Sequence, residues 1–148
     1  MKHGYRWLIG ALLAVGVAVG LALIAPGEQG SVAADGTIYY VDADATGANN
    51  GSTWPNAFTT LQPALDAVLS GDQIWVAEGT YKPTAEHGGT GARYSSFQLK
   101  NGVALYGGFD PSVGDIAWQD RDWEANPTIL SGDIGTAGNA SDNSYHVF

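Results

Sequence analysis

Between positions 110 and 126 the chain gathers five carboxylates, Asp110, Asp115, Asp120, Asp122 and Glu124, around two tryptophans, Trp118 and Trp123. Hydrolysis of a glycosidic bond takes two carboxyl groups facing each other across about 5–10 Å, one of them held protonated. Tryptophan rings offer flat apolar faces for sugar rings, and the acids could hydrogen-bond sugar hydroxyls. The plainer reading packs the loop against the body through its tryptophans and pairs Arg121 with Asp122 or Glu124. The residues favour that reading, with sugar contact second and catalysis third.

A second acidic stretch runs from Asp42 to Ser52, dense in Asp, Asn, Gly and Ala. Asp42, Asp44, Thr46 and Gly47 imitate the opening of a calcium-binding EF-hand loop. The twelfth position is Thr53 rather than a bidentate Glu, which removes that motif. A looser oxygen-ligand calcium site of Asp42, Asp44 and Asn49 is the remaining metal reading. It competes with a solvated loop whose Asp and Asn side chains bond their own backbone, and the latter is favoured.

The other chemical groups are scattered. His3 lies at the amino terminus, His87 sits in Glu86-His87-Gly88-Gly89, and His146 stands between Tyr145 and Val147. Their spacing matches no metal motif and no nucleophilic triad. Beyond the leader, Lys82, Arg93, Lys100 and Arg121 are the only basic side chains apart from histidine. Gly88-Gly89 and Gly107-Gly108 precede no helix and no Lys-Ser/Thr, so they serve turns rather than phosphate. No catalytic, cofactor-binding or metal-ligating residue is assigned from the sequence.

Lys2, His3 and Arg6 open the chain, and an uncharged apolar run follows from Trp7 to Ala25. Pro26-Gly27 then breaks it, and Ser31-Val32-Ala33-Ala34 offers a small-residue cleavage site after Ala33 or Ala34. Residues 1–34 therefore read as a signal peptide, with an uncleaved membrane anchor of about 19 residues as the alternative. Its removal takes away Lys2, Arg6 and Glu28, and moves the net charge from −9 to −10. So acidic a chain repels nucleic acid and anionic membrane surfaces, leaving the leader as the one link to a membrane. With no cysteine, an oxidising compartment supplies no disulfide.

Residues 35–148 form one domain's length. Ile38–Val41 reads as a short strand. Leu61, Ala64, Leu65 and Val68 recur at helical spacing, with Thr59 or Thr60 to cap, Gln62 to complete a capping box, Pro63 in the first turn and Gly71 to stop the helix. Short apolar or alternating runs follow at Ile74–Ala77, Phe97–Leu99, Val103–Tyr106, Thr128–Ser131 and Tyr145–Phe148. Thr84–Arg93 and Asp110–Asn126 lie between them as inserted loops. The unequal spacing of these runs suits solenoid coils of variable length, a β-sandwich of hairpins being the alternative.

The order Tyr39-Tyr40-Val41-Asp42, Gly51-Ser52-Thr53-Trp54, Phe58-Thr59-Thr60-Leu61-Gln62, Gly71-Asp72-Gln73-Ile74-Trp75-Val76-Ala77, Gly79-Thr80-Tyr81-Lys82-Pro83 and Val103-Ala104-Leu105-Tyr106-Gly107-Gly108-Phe109 resembles the amino-terminal part of secreted bacterial right-handed parallel β-helix proteins, the pectin-lyase-like superfamily. Thr128-Ile129-Leu130-Ser131-Gly132-Asp133 and Asp142-Asn143-Ser144-Tyr145-His146-Val147 extend the likeness across residues 38–148. The resemblance implies an all-β fold, the start of a right-handed parallel β-helix closed by a short amino-terminal capping α-helix. It also implies that further coils follow Phe148.

Two functions fit that expectation. One is an exported, cell-surface or extracellular protein, structural or adhesin-like, that contacts polysaccharide or surface glycans without catalysis. The other is a polysaccharide lyase or glycoside hydrolase whose catalytic residues lie beyond Phe148. The residues present do not decide whether the whole protein is an enzyme.

Overall fold

A computed structural model describes residues 36–148. The signal or anchor segment, with its cleavage site, lies outside the described residues. Five strands and one α-helix occur in the order β1 (Ile38–Val41), α1 (Leu61–Ala67), β2 (Gln73–Ala77), β3 (Gly79–Tyr81), β4 (Ala104–Phe109) and β5 (Thr128–Leu130). Single turns of 3-10 helix stand at Trp54–Asn56, Ala92–Tyr94 and Trp118–Asp120.

The strands form two small parallel sheets, β1-β2-β4 and β3-β5. This corrects the expected fold class: among the described residues there is one helix and two short sheets, and no closed or solenoid sheet. The physical reason lies in two apolar runs that were expected to be strands. Phe97–Leu99 and Tyr145–Phe148 form none, and they meet through a backbone bond from the Phe97 amide to the Val147 carbonyl at 2.8 Å. Leu99, Tyr145 and Phe148 are each more than half exposed. Of the large side chains in the two runs only Phe97 is buried, so neither run gains burial along its length that would hold it in a ladder. The closing helix of a solenoid falls with the solenoid, although a helix is present where the apolar spacing put it.

Parallel strands need a crossover connection, and α1 lies within the one joining β1 to β2. Residue alternation sends Tyr39, Val41, Ile74, Val76 and Leu105 to one face of the larger sheet. There they pack with Leu61, Ala64, Leu65 and Val68 of the helix segment, along with Tyr81 and Phe97. The opposite face carries Tyr40, Trp75 and Tyr106, which stand in register across three strands.

Thr60 occupies the N-cap position in extended geometry, yet its side chain makes no capping bond. Gln62 donates to the Asp66 carboxylate at 3.0 Å instead of closing a capping box. The helix also ends before Gly71, at Ala67 with Val68 as its C-cap. There the Lys100 ammonium donates to the carbonyl oxygens of Asp66 and Val68, at 2.8 and 3.0 Å. A cation on the last carbonyls satisfies groups that the helix leaves unpaired and opposes its negative end.

Thr128 at the start of β5 joins the two sheets. Its hydroxyl lies within donating distance of the Val76 and Ala77 carbonyls, at 3.2 and 3.0 Å, and accepts the Gly108 amide at 3.2 Å. A Cβ on Gly107 would lie 2.6 Å from the Thr128 side chain, so the close approach of β4 to β5 requires glycine there.

Tyr81, 3 % exposed, donates its hydroxyl to the Ala77 carbonyl at 3.3 Å. Burial pushes its pKa from 10.0 up to about 12, and the carboxylates of Asp42, Asp44 and Glu78 push the same way. A phenol whose folded pKa is raised contributes stability that is whole below the unfolded value and is lost as pH climbs towards the folded one. Urea midpoints should therefore fall between pH 10 and about 12. Tyr81→Phe should flatten that part of the curve. An equally steep fall in the phenylalanine variant would acquit the phenol.

Candidate functional site: an aromatic and acidic cleft

The loop leaving β1 is a rigid, self-bonded turn. The Phe58 amide donates to the Tyr40 carbonyl, the Asp42 amide to Phe58, and the amides of Asn50 and Gly51 to Asn56, all at 2.9 Å. Gly51 has φ +71°, and a Cβ there would lie 2.4 Å from the Phe58 ring, so the turn closes only around glycine. Side chains reinforce it. Asp42 Oδ1 accepts the Asp44 amide, and Asn49 Oδ1 accepts the Thr59 amide, both at 2.9 Å. Two of the three residues considered for calcium thus each give an oxygen to this backbone. Among the described residues no group of three or more His, Cys, Asp or Glu side chains is placed to hold a metal ion.

Against this turn lies the 110–116 loop, and between the two is a cleft of about 620 Å³. Tyr40, Trp54, Pro55, Pro111 and Ile116 give it apolar lining, while Asp42, Asp44, Thr46, Thr53 and Ser112 add polar groups. The Tyr40 and Trp54 rings are 4.9 Å apart and tilted by 60°. Trp54 Nε1 donates to the Ile116 carbonyl at 3.1 Å, which ties the two walls together and fixes the indole.

Behind the cleft the outer sheet face is an aromatic lattice. Trp75 stacks on Phe109 at 4.8 Å and 13°, and Phe109 meets Trp54 at 5.2 Å. Trp118 stands edge-on to Tyr106 at 4.5 Å and 89°. Arg121 was expected to pair with Asp122 or Glu124. Its guanidinium instead lies 4.6 Å from the Trp118 ring centroid and 5.2 Å from that of Tyr106, and its Nε donates to the Gly107 carbonyl at 2.8 Å. This cation–π contact pins the 117–122 loop over the sheet.

The five clustered carboxylates do not converge on the cleft. Asp110 Oδ1 accepts the Ser112 amide and hydroxyl, and Asp115 accepts the Asn126 side-chain amide. Asp120 accepts the Ala117 amide, and Asp122 those of Glu124 and Ala125. These four aspartates hold their own loop in shape. Trp123 is 69 % exposed and lines no part of the cleft. The structure does bring together His87 and His146, which are far apart in sequence. With Arg93, Tyr94, Ser96 and Tyr145 they border a recess of about 20 Å³, room for roughly one water.

Sequence reasoning passed over Tyr40 and Trp54 as lining residues and weighed Asp42 and Asp44 only as metal ligands. The available signal was the alternation that turns Tyr40 away from Val41. No helix among the described residues is long and apolar enough to cross a membrane. Comparisons with family models, curated proteins and solved structures find no match to this chain, so the resemblance to pectin-lyase-like proteins gains no support from them.

Proposed function

We propose that this is an exported, extracellular or cell-surface protein that binds carbohydrate without altering it, and that the sugar lies in the cleft between the β1 loop and the 110–116 loop. The observation carrying this reading is the cleft itself: the half-buried Tyr40 ring, held against the buried Trp54, flanked by the carboxylates and hydroxyls of Asp42, Asp44, Thr46 and Ser112. A few polar groups placed around an apolar concave surface suit a ligand with flat apolar faces and a hydroxyl rim. Asp42 and Asp44 belong to one wall, joined by a turn, whereas glycoside hydrolysis needs carboxyl groups on opposite sides of the bond. The basic start, apolar run and small-residue site of residues 1–34 support export. A secreted product whose first residue is Met1 would sink the cleaved-signal part of this reading.

Titration with a panel of neutral and charged oligosaccharides, followed by tryptophan fluorescence, tests the site. At least one sugar should bind, and Thr46→Arg, which lays a long side chain across the cleft, should weaken it about tenfold or more at unchanged melting temperature. The reading fails when no sugar binds, or when the Thr46→Arg chain binds as well as the parent.

A further inference from the structure

We infer that the cleft selects sugars bearing a free, protonated amine and discriminates against uronic acids; this rests on the carbohydrate-binding reading above. The residues lining the cleft include two carboxylates, Asp42 and Asp44, and no lysine or arginine. Asp44 is exposed and Asp42 half-buried, so both can meet a ligand entering from solvent. The wider charge has the same sign: the chain carries −9 in all.

A negative potential over a concave, partly apolar surface concentrates cations and repels anions. The half-buried Tyr40 ring acts in the same direction, because an ammonium group is attracted to an aromatic face and a carboxylate is not. A neutral sugar has only stacking and hydroxyl contacts here. An amino sugar adds an ammonium that can meet an Asp carboxylate, and a uronate brings its charge against two like charges. Part of Asp42's capacity is already directed to the Asp44 amide, which makes the Asp44 carboxylate the principal partner.

The full chain should be titrated with three hexasaccharides of equal length: β-1,4-glucosamine, its N-acetylated neutral counterpart, and α-1,4-galacturonate. At about pH 6 the amines of the glucosamine hexamer are largely protonated. The glucosamine hexamer should bind up to about fivefold more tightly than the N-acetylated one, with the galacturonate weakest. Raising the salt should shrink the first difference. Asp44→Asn should remove most of the glucosamine hexamer's advantage over its N-acetylated counterpart in the same variant. Equal binding of the amine and the N-acetyl form, or tighter binding of the galacturonate, overturns the selectivity and leaves carbohydrate binding standing. Binding of none of the three, nor of any sugar in the wider panel, overturns both.

Discussion

Replacing Leu65 by alanine should lower the stability of the folded domain by about 2–5 kcal/mol, read as a fall in urea midpoint at unchanged slope. Leu65 is 1 % exposed in the middle of α1, and it packs with Ile74, Val76 and Val41 on the inner sheet face. Truncation deletes apolar contacts and leaves a void that neighbouring strands cannot close without shifting their ladder. Leu65→Asp should go further and abolish the folded state, because the same space would hold an unpaired charge. Thr90→Ala is the control: an exposed position in the 84–93 loop should change stability by less than about 0.5 kcal/mol. Equal midpoints for Leu65→Ala and Thr90→Ala would mean that the helix covers nothing of consequence.

The second large effect belongs to the other face of the same sheet. Phe109→Ala should cost about 3–5 kcal/mol. Phe109 is fully buried, stacks on Trp75, leans on Trp54 and lies under the Arg121 guanidinium at 5.5 Å. Its loss should also collapse the near-ultraviolet circular dichroism, since the Trp75 and Trp54 rings would lose their fixed partner. Leu65→Ala, acting on the opposite face, should leave that signal largely in place under native conditions. A Phe109→Ala chain with full stability and unaltered aromatic signal would contradict the packing of the outer face.

Local pattern made some of this legible in the sequence. Leu61, Ala64, Leu65 and Val68 specify a helix with one apolar side, and alternation along Ile74-Trp75-Val76 sends Trp75 away from that side. Other features depend on partners distant in the chain. Lys100 ends α1 from 34 residues away, which no local stop signal reveals. The cleft requires Trp54 to meet Ile116 across 62 residues, so its lining is a product of strand register. The error in fold class has the same origin. Phe97–Leu99 and Tyr145–Phe148 have strand composition, but composition does not supply a neighbour. Gly79–Tyr81, three residues beside a turn, is a strand only because β5 lies along it.

The parallel register of both sheets bears on how quickly the native state can be reached. The Thr37 amide meets the Asp72 carboxylate across 35 residues, and the Thr128 hydroxyl reaches Ala77 across 51. A tight hairpin between adjacent strands would let pairing begin locally, but here each ladder waits on closure of a long loop, and that entropy is lost before any ladder bond compensates it. Such high contact order places the domain among slow folders for its length. During that interval the Tyr40, Trp75 and Phe109 surface is open to solvent and to other chains.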